Sequence, residues 1–172
     1  MQSSLEPIWC VPFRGAQETG NIDRLIERAM TTNCGFELQR FVHAQESVFE
    51  QVCAELRGGQ KVTHWIWFIF PQMRGLGNSS TANEFGISSR AEADAYLRHQ
   101  VLGPRLRECT RLVNLIEGRS IEVIFPFPDN LKFRSSMTLF AQLQPDNDVF
   151  TAALKKYYHG QPDQMTLDLL KS

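Results

Sequence analysis

A glycine-containing polar segment, residues 72–80, is the first stretch of this sequence whose residue types and spacing point to chemistry. It consists of Gln72-Met73-Arg74-Gly75-Leu76-Gly77-Asn78-Ser79-Ser80. Its two glycines permit backbone conformations that direct successive N–H groups at one point, and Arg74, Asn78 and the serines add donors for an anion. The dinucleotide-binding pattern G-x-G-x-x-G is incomplete, because Ser80 stands at the third glycine position. An ordinary tight loop and an anion-binding loop are therefore both open interpretations.

His64 is the second candidate and stands at the head of the aromatic run HWIWFIFP, residues 64–71. A histidine beside Trp65 either forms a hydrogen bond to backbone in the core or serves as a base or donor towards a substrate. Trp65 and Trp67 would stack on a planar ring if exposed, whereas alternate positions on a buried element indicate core packing. Both interpretations stay open at this point.

The third candidate group begins at Asp129. A structural role alone is sufficient to explain these two residues, with Asp129 as a helix cap and Lys132 as its i+3 neighbour. Lys132, Ser135 and Ser136 would also line one wall of a helical groove. If that wall faces residues 72–80, the two segments form a polar pocket. The candidate proton carriers are His64 and Asp129, and the candidate ligand-binding residues are His64, Gln72, Arg74, Gly75, Gly77, Asn78, Ser79, Lys132, Ser135, Ser136 and Thr138.

Patterns typical of established enzyme classes are absent from the sequence. It contains no GxSxG, HExxH, S-x-x-K or Walker pattern, and its four histidines are dispersed. We therefore expect no metal site and no cofactor. A serine hydrolase or metalloenzyme is disfavoured, although a triad assembled from distant positions is an open alternative.

Composition predicts one soluble domain. The 172 residues carry a net charge of −1, so neither nucleic acid nor an anionic membrane is implied as a partner. The four cysteines form no CxxC pair, and their spacing matches neither a zinc site nor a disulfide scaffold. No charged-then-apolar leader and no run of about 20 apolar residues is present. We expect a cytoplasmic protein, and the oligomeric state is not indicated.

Apolar periodicity places the candidate residues on helices. Three- and four-residue steps predict one long helix from Phe36 to Leu56, followed by Gly58-Gly59. Two short apolar segments, residues 62–70 and 121–125, fit either a strand or a helix, with Thr63 a possible cap for the first. Further helices are predicted from Ser89 to Arg98, from Pro104 to Glu117, after caps at Asp129 and Asp146, and from Asp163 to Leu170.

Residues 1–34 differ in character from the rest of the chain. Scattered Pro, Gly and polar residues indicate loops, and only residues 21–30 show helical spacing of apolar side chains. We interpret residues 1–34 as an N-terminal extension and residues 35–172 as an all-helical globular domain.

Four blocks of this sequence, in order, resemble the domain-of-unknown-function 1810 family: HWIWFIFPQMRGLGNSSTANEFGI, EADAYLRHQVLGPRLRECT, PDNLKFRSSMTLFA and YYHGQPDQMTLDLL. The resemblance implies a compact, mainly α-helical domain, which favours helix for residues 62–70. It implies no established reaction. The chain departs from the family pattern at Phe127 and Asn130, where members often carry a glycine and a second acidic residue. Some members are labelled "calpastatin", but inhibitors of that type are long and disordered, unlike this apolar-rich chain.

We therefore predict a mainly α, compact single-domain bundle of about six to eight helices. The favoured function is binding of an anionic, nucleotide-like small molecule in a polar pocket. One alternative is a hydrolase or group-transfer enzyme that uses the same pocket. The other is a protein–protein interaction module, acting through the helix at 21–30 or through a groove.

Overall fold

The computed structural model describes residues 35–143 and 147–171. This part of the chain contains ten helices and no strand, and its only β-type pairing is an isolated parallel bridge between Met73 and Ile87. The mainly α fold class is confirmed, with more helices than the six to eight predicted. The predicted extension 1–34, including its helix at 21–30, and the predicted cap Asp146 lie outside the described residues.

The ten helices, numbered in chain order, are α1 Gln39–Glu46, α2 Phe49–Arg57, α3 Ile66–Ile69, α4 Ser80–Glu84, α5 Arg90–Arg98, α6 Leu102–Leu115, α7 Ile121–Ile124, α8 Asp129–Ala141, α9 Asp148–Tyr158 and α10 Gln164–Leu169. Helix α8 is central, because it contacts α3, α5, α7, α9 and α10.

The single helix predicted from Phe36 to Leu56 is wrong, since the chain forms α1 and α2 with a break at Ser47 and Val48. Each helix buries its own apolar residues, among them Phe41 in α1 and Leu56 in α2. Periodicity did not reveal the break because the three- and four-residue spacing continues across it.

Residues 62–70 are only partly helical. The carboxylate of Glu55 accepts hydrogen bonds from the backbone N–H groups of Val62 and Thr63, from the Thr63 hydroxyl and from Trp65 Nε1. These bonds hold residues 62–65 outside the helix, and α3 spans only Ile66–Ile69. Thr63 therefore does not cap the helix, because Trp65 occupies the cap position.

Two further predictions concern the chain around α7 and α8. Residues 121–125 form a single helical turn, α7, rather than a strand. Asp129 is not the N-cap of α8 but its first residue, and Pro128 takes the cap position without a side-chain hydrogen bond. The Asp129 carboxylate is instead paired with two lysines, Lys61 and Lys132.

Aromatic side chains fill the core around α3 and α8. The rings of Phe70, Phe125 and Phe133 lie with centroids 4.9–5.9 Å apart, and Trp65 packs at 6.1 Å from Phe125. Burial of such rings is the main stabilising term of a domain of this size. In the described part of the chain, none of the helices has the length and apolar character needed to cross a bilayer.

Candidate functional site

A cavity of about 540 Å³ opens between the chain that follows α3 and the first half of α8. Its walls come from four places in the sequence: α3, the 72–82 segment, α8 with the proline before it, and the start of α10. The lining residues are Trp67, Gln72, Leu76, Gly77, Asn78, Ser79, Ala82, Pro128, Leu131, Lys132, Arg134, Ser135, Asp163 and Met165.

The 72–80 segment is held by backbone pairing at one end and by a helix cap at the other. The N–H of Ile87 donates to the carbonyl of Gln72 at 2.9 Å, and the N–H of Arg74 donates to the carbonyl of Ile87 at 2.8 Å. Ser79 caps α4 by accepting a hydrogen bond from the N–H of Ala82 at 3.1 Å. Between them Gly75 adopts a φ of +98°, which L residues avoid.

Gly77 permits a close approach of three parts of this wall. A Cβ atom at Gly77 would lie 2.8 Å from the Cβ of Ala82 and 3.4 Å from Nε2 of Gln72. The first distance is well inside van der Waals contact. A larger residue at this position would displace α4 or the backbone at residue 77, and both Ala82 and Gly77 line the cavity.

The side chain of Gln72 is buried in the cavity wall without a partner. Its residue exposure is 9%, and no described residue forms a hydrogen bond with its amide. A primary amide carries two N–H donors and a carbonyl acceptor, and those of Gln72 are accessible from the cavity rather than fully buried. Gln72 is thus a polar group available to a ligand.

Lys132 supplies positive charge to the cavity. Its Nζ lies 4.3 Å from the centroid of the Trp67 ring and 2.7 Å from Oδ1 of Asp129. The other carboxylate oxygen of Asp129 lies 2.7 Å from Nζ of Lys61. Two lysines therefore share one carboxylate, and within the described residues this group of three carries one excess positive charge.

Asp129 itself remains ionised. Burial would raise the pKa of its carboxyl, but the hydrogen bonds from Lys132 and Lys61 outweigh this effect and lower the pKa below its usual range. A carboxylate with a lowered pKa is unsuited to carry protons near neutral pH. The group acts as an anchor for the two lysines.

The far wall of the cavity is a rigid hydrogen-bonded unit. Oδ2 of Asp163 accepts hydrogen bonds from the hydroxyl of Ser135 at 3.0 Å and from the N–H of Thr166 at 3.1 Å. The N–H of Asp163 donates to the hydroxyl of Thr138 at 2.8 Å. Arg134 donates to the carbonyls of Gln161 and Pro162, each at 3.2 Å. These bonds fix the start of α10 against α8, and the predicted start of the last helix at Asp163 is confirmed.

The structure brings together part of the predicted ligand-binding set. Gln72, Gly77, Asn78, Ser79, Lys132 and Ser135 line the one cavity, so residues from both predicted segments share it. Their role in binding a ligand stays a prediction.

The other predicted residues lie outside the cavity wall. His64 is exposed, as is Arg74, and Gly75 shapes the loop without lining the cavity. Ser136 is fully buried with its hydroxyl unpaired, and Thr138 is fully buried and holds Asp163. Helical spacing placed Ser135 and Ser136 on the same groove wall, but adjacent residues on a helix point about 100° apart, and only Ser135 lines the cavity.

Sequence reasoning missed most of the apolar lining and the contribution of the last helix. Leu76, Leu131 and Met165 carry no chemical signal of their own. Asp163 was predicted only as the start of the last helix, because nothing in the local sequence indicates its hydrogen bond with Ser135, 28 residues away. Within the described residues, no group of three or more His, Cys, Asp or Glu side chains is placed to hold a metal ion.

Comparison with known proteins places the chain in a family. A family model described as "Protein of unknown function (DUF1810)" matches residues 35–170. The chain belongs to this family. The DUF1810 match includes residues 72–82, α8 and the start of α10, which together form most of the cavity wall.

A solved structure supports the same fold. The crystal structure of the conserved hypothetical protein Rv1873 from Mycobacterium tuberculosis is 56% identical in sequence, with a TM-score of 0.79. The match covers 80% of this chain and 99% of that one. The comparison with curated proteins found no match. These findings establish family and fold, and they carry no statement about a ligand or a reaction.

Proposed function

We propose that this DUF1810 protein binds an anionic, nucleotide-like small molecule in the cavity between residues 72–82 and α8. The observation that carries the proposal is the position of Lys132, a cavity-lining lysine that shares its carboxylate partner, Asp129, with Lys61. The two lysines carry one positive charge more than Asp129 neutralises, and an anion in the cavity would neutralise it.

The size and lining of the cavity support a small molecule rather than an ion alone. Its volume of about 540 Å³ lies within the ~300–1,000 Å³ typical of small-molecule sites. The lining is largely apolar, with Leu76, Leu131 and Met165 beside the polar groups. An apolar wall with a few polar groups is the usual composition of such a site, since the wall binds the body of a ligand and the polar groups orient it.

Donors are present where an anion would lie. Asn78 and Ser79 are exposed residues of the loop wall, and Lys132 is 19% exposed at its side chain. Hydrogen bonds from an ammonium group to an anion are roughly twice as strong as neutral ones. The pairing of a lysine with amide and hydroxyl donors suits a phosphate or carboxylate.

The enzymatic alternative has less support from the geometry. His64 is exposed and lies outside the cavity wall, and the lowered pKa of Asp129 does not suit proton transfer. The interaction-module alternative rested on the helix at 21–30, which lies outside the described residues, or on a groove, and the cavity of about 540 Å³ has the size of a small-molecule site. Binding is therefore the function that the described geometry supports best.

A cytoplasmic location is part of the same proposal. Cys53 and Cys109 are buried, free thiols on α2 and α6. Reduced thiols fit a reducing compartment, where a metabolite-sized phosphorylated ligand would also be found.

Thermal denaturation with inorganic phosphate, ribose 5-phosphate and nucleoside monophosphates tests the proposal. We expect at least one of these anions to raise the Tm of the full chain, because a ligand that binds only the folded state stabilises it. Lys132→Met should remove most of that increase, whereas Lys155→Met, at an exposed α9 lysine outside the cavity wall, should retain it. The absence of stabilisation by every anion would refute the proposal.

A further inference from the structure

The amide of Gln72 offers a hydrogen-bond acceptor beside its donors, and an anion cannot use that acceptor. It lies in the cavity wall at 9% exposure with no hydrogen-bond partner among the described residues. Its backbone is fixed, because its carbonyl accepts the N–H of Ile87 at 2.9 Å. The free amide therefore points to a second part of the ligand, distinct from the anion.

We propose that Gln72 selects a ligand in which a planar ring with adjacent hydrogen-bond donor and acceptor groups is joined to a phosphate. The inference rests on the proposed function and goes further by assigning the chemical class of the ring. A glutamine amide offers one acceptor beside a donor, so it pairs in two hydrogen bonds with a group of the same pattern. Adenine presents such a pattern, as glutamine contacts to its N6 and N7 atoms show. The carboxamide of nicotinamide presents it as well.

The surroundings of Gln72 fit a planar ring. Gly77, without a side chain, lies beside Nε2 of Gln72, and a Cβ there would stand 3.4 Å from that nitrogen. Apolar side chains of Leu76 and Ala82 line the same part of the wall. These neighbours offer an apolar surface beside the amide for a planar ring.

One face of the Trp67 ring is already occupied. Nζ of Lys132 lies 4.3 Å from the centroid of that ring, at cation–π distance. The ring of the ligand is therefore held by aliphatic walls and by Gln72 rather than by stacking on this face of Trp67. Trp67 instead supports the lysine that binds the phosphate.

Guanine would meet the amide of Gln72 through a different edge from adenine. The guanine edge corresponding to adenine N6 and N7 presents two acceptors, N7 and O6, whereas its Watson–Crick edge presents O6 beside the N1–H donor, a pattern with which the amide also pairs. A glutamate at position 72 would present only acceptors and would favour the N–H donors of the Watson–Crick edge of guanine. The adenine-to-guanine preference should therefore depend on residue 72.

The test measures Kd by calorimetry for AMP, nicotinamide mononucleotide, GMP and ribose 5-phosphate with the full chain. We expect AMP or nicotinamide mononucleotide to bind about tenfold or more tightly than ribose 5-phosphate, which has no planar ring to pair with the amide. The tighter-binding ligand of these two identifies the ring as adenine or nicotinamide. Gln72→Met, of similar length, should reduce the affinity for that ligand to the affinity for ribose 5-phosphate. Gln72→Glu should shift the ratio of the AMP and GMP affinities towards GMP. Circular dichroism spectra and Tm values of both variants without ligand check that they fold.

Two results would overturn the inference in distinguishable ways. Equal Kd values for all four phosphates, unchanged in Gln72→Met, would refute the role of Gln72 and leave anion binding intact. No binding of any of the four, with no Tm shift by inorganic phosphate, would refute both the inference and the proposed function.

Discussion

Lys61 and Asp129 form an ion pair at 2.7 Å that joins the chain before α3 to the first turn of α8. The side chains are only 7% and 14% exposed. The backbone N–H of Lys61 also donates to the carbonyl of Ile124 at 2.8 Å, so the residue is fixed at both ends. Because Asp129 binds Lys132 with its other oxygen, this pair determines where the cavity lysine stands.

Asp129→Asn is expected to destabilise the domain. The substitution removes the negative charge and leaves the mostly buried ammonium of Lys61 without this counterion, at a cost of about 3 kcal/mol in the free energy of unfolding. Urea denaturation measures it. Asp168→Asn is the matched control, because the Asp168–Lys171 pair is exposed and should contribute less than about 1 kcal/mol. Equal effects of the two substitutions would contradict the structural role of Asp129.

Glu55 should contribute a pH-dependent part of the stability. Burial would raise the pKa of its carboxyl, but hydrogen bonds from Thr63, Val62 and Trp65 lower it from 4.5 to about 2. A pKa lowered in the folded state stabilises the protein above about pH 4.5, and this stabilisation is lost as the pH falls towards 2.

Glu55→Gln should therefore reduce the stability at pH 7 and flatten its decline between pH 4.5 and pH 2, as measured by urea denaturation at several pH values. Glu50→Gln, on the exposed side of α2, should keep the wild-type slope. If stability falls with pH in Glu55→Gln as steeply as in the wild type, the hydrogen bonds to Glu55 do not lower the pKa of its carboxyl in solution.

Much of the fold was predictable, and the reasons for the exceptions are physical. Helical spacing correctly identified α5, α6 and α9, because each buries one stripe of side chains. It also identified α8, although residues 135–141 of that helix are buried on every side. It failed at Ser47, where the stripe continues while the backbone breaks. It also failed at residues 62–65, where a single carboxylate, Glu55, replaces helical hydrogen bonds with its own. Neither feature leaves a periodic signal.

The candidate site was predictable only in outline. The polar residues after the aromatic run and those on α8 stood out by type, and the structure places six of the predicted residues in one cavity. The wall from the start of α10 was not predictable, because the Ser135–Asp163 bond closes a long loop without a local pattern. Lys61 likewise gave no indication of its pairing with Asp129.

Gly77→Ala should weaken ligand binding. Its Cβ would lie 2.8 Å from the Cβ of Ala82, so α4 or the backbone at residue 77 must move. We expect a reduced Tm increase with phosphate anions. The double variant Gly77→Ala, Ala82→Gly removes the clashing methyl group and should restore the increase, at a helix-propensity cost of up to about 1 kcal/mol in α4. A folded double variant that still fails to bind would contradict the steric account.

His64→Ala should leave ligand binding unchanged. The histidine is exposed and does not line the cavity, although the sequence made it a candidate for both binding and proton transfer. Kd values for phosphate anions, measured by calorimetry, should agree within error between the variant and the wild type. A clear loss of affinity with retained stability would show that His64 contributes to ligand binding.

Binding of an anionic small molecule between residues 72–82 and α8 can be mapped residue by residue with NMR. Inorganic phosphate or AMP is titrated into the 15N-labelled full chain, and shifts of the backbone amide signals are followed. We expect saturable shifts at Gly77, Asn78 and Lys132, with none of comparable size in α2. Saturable shifts confined to other surfaces, or no shifts at millimolar ligand, would contradict binding in this cavity.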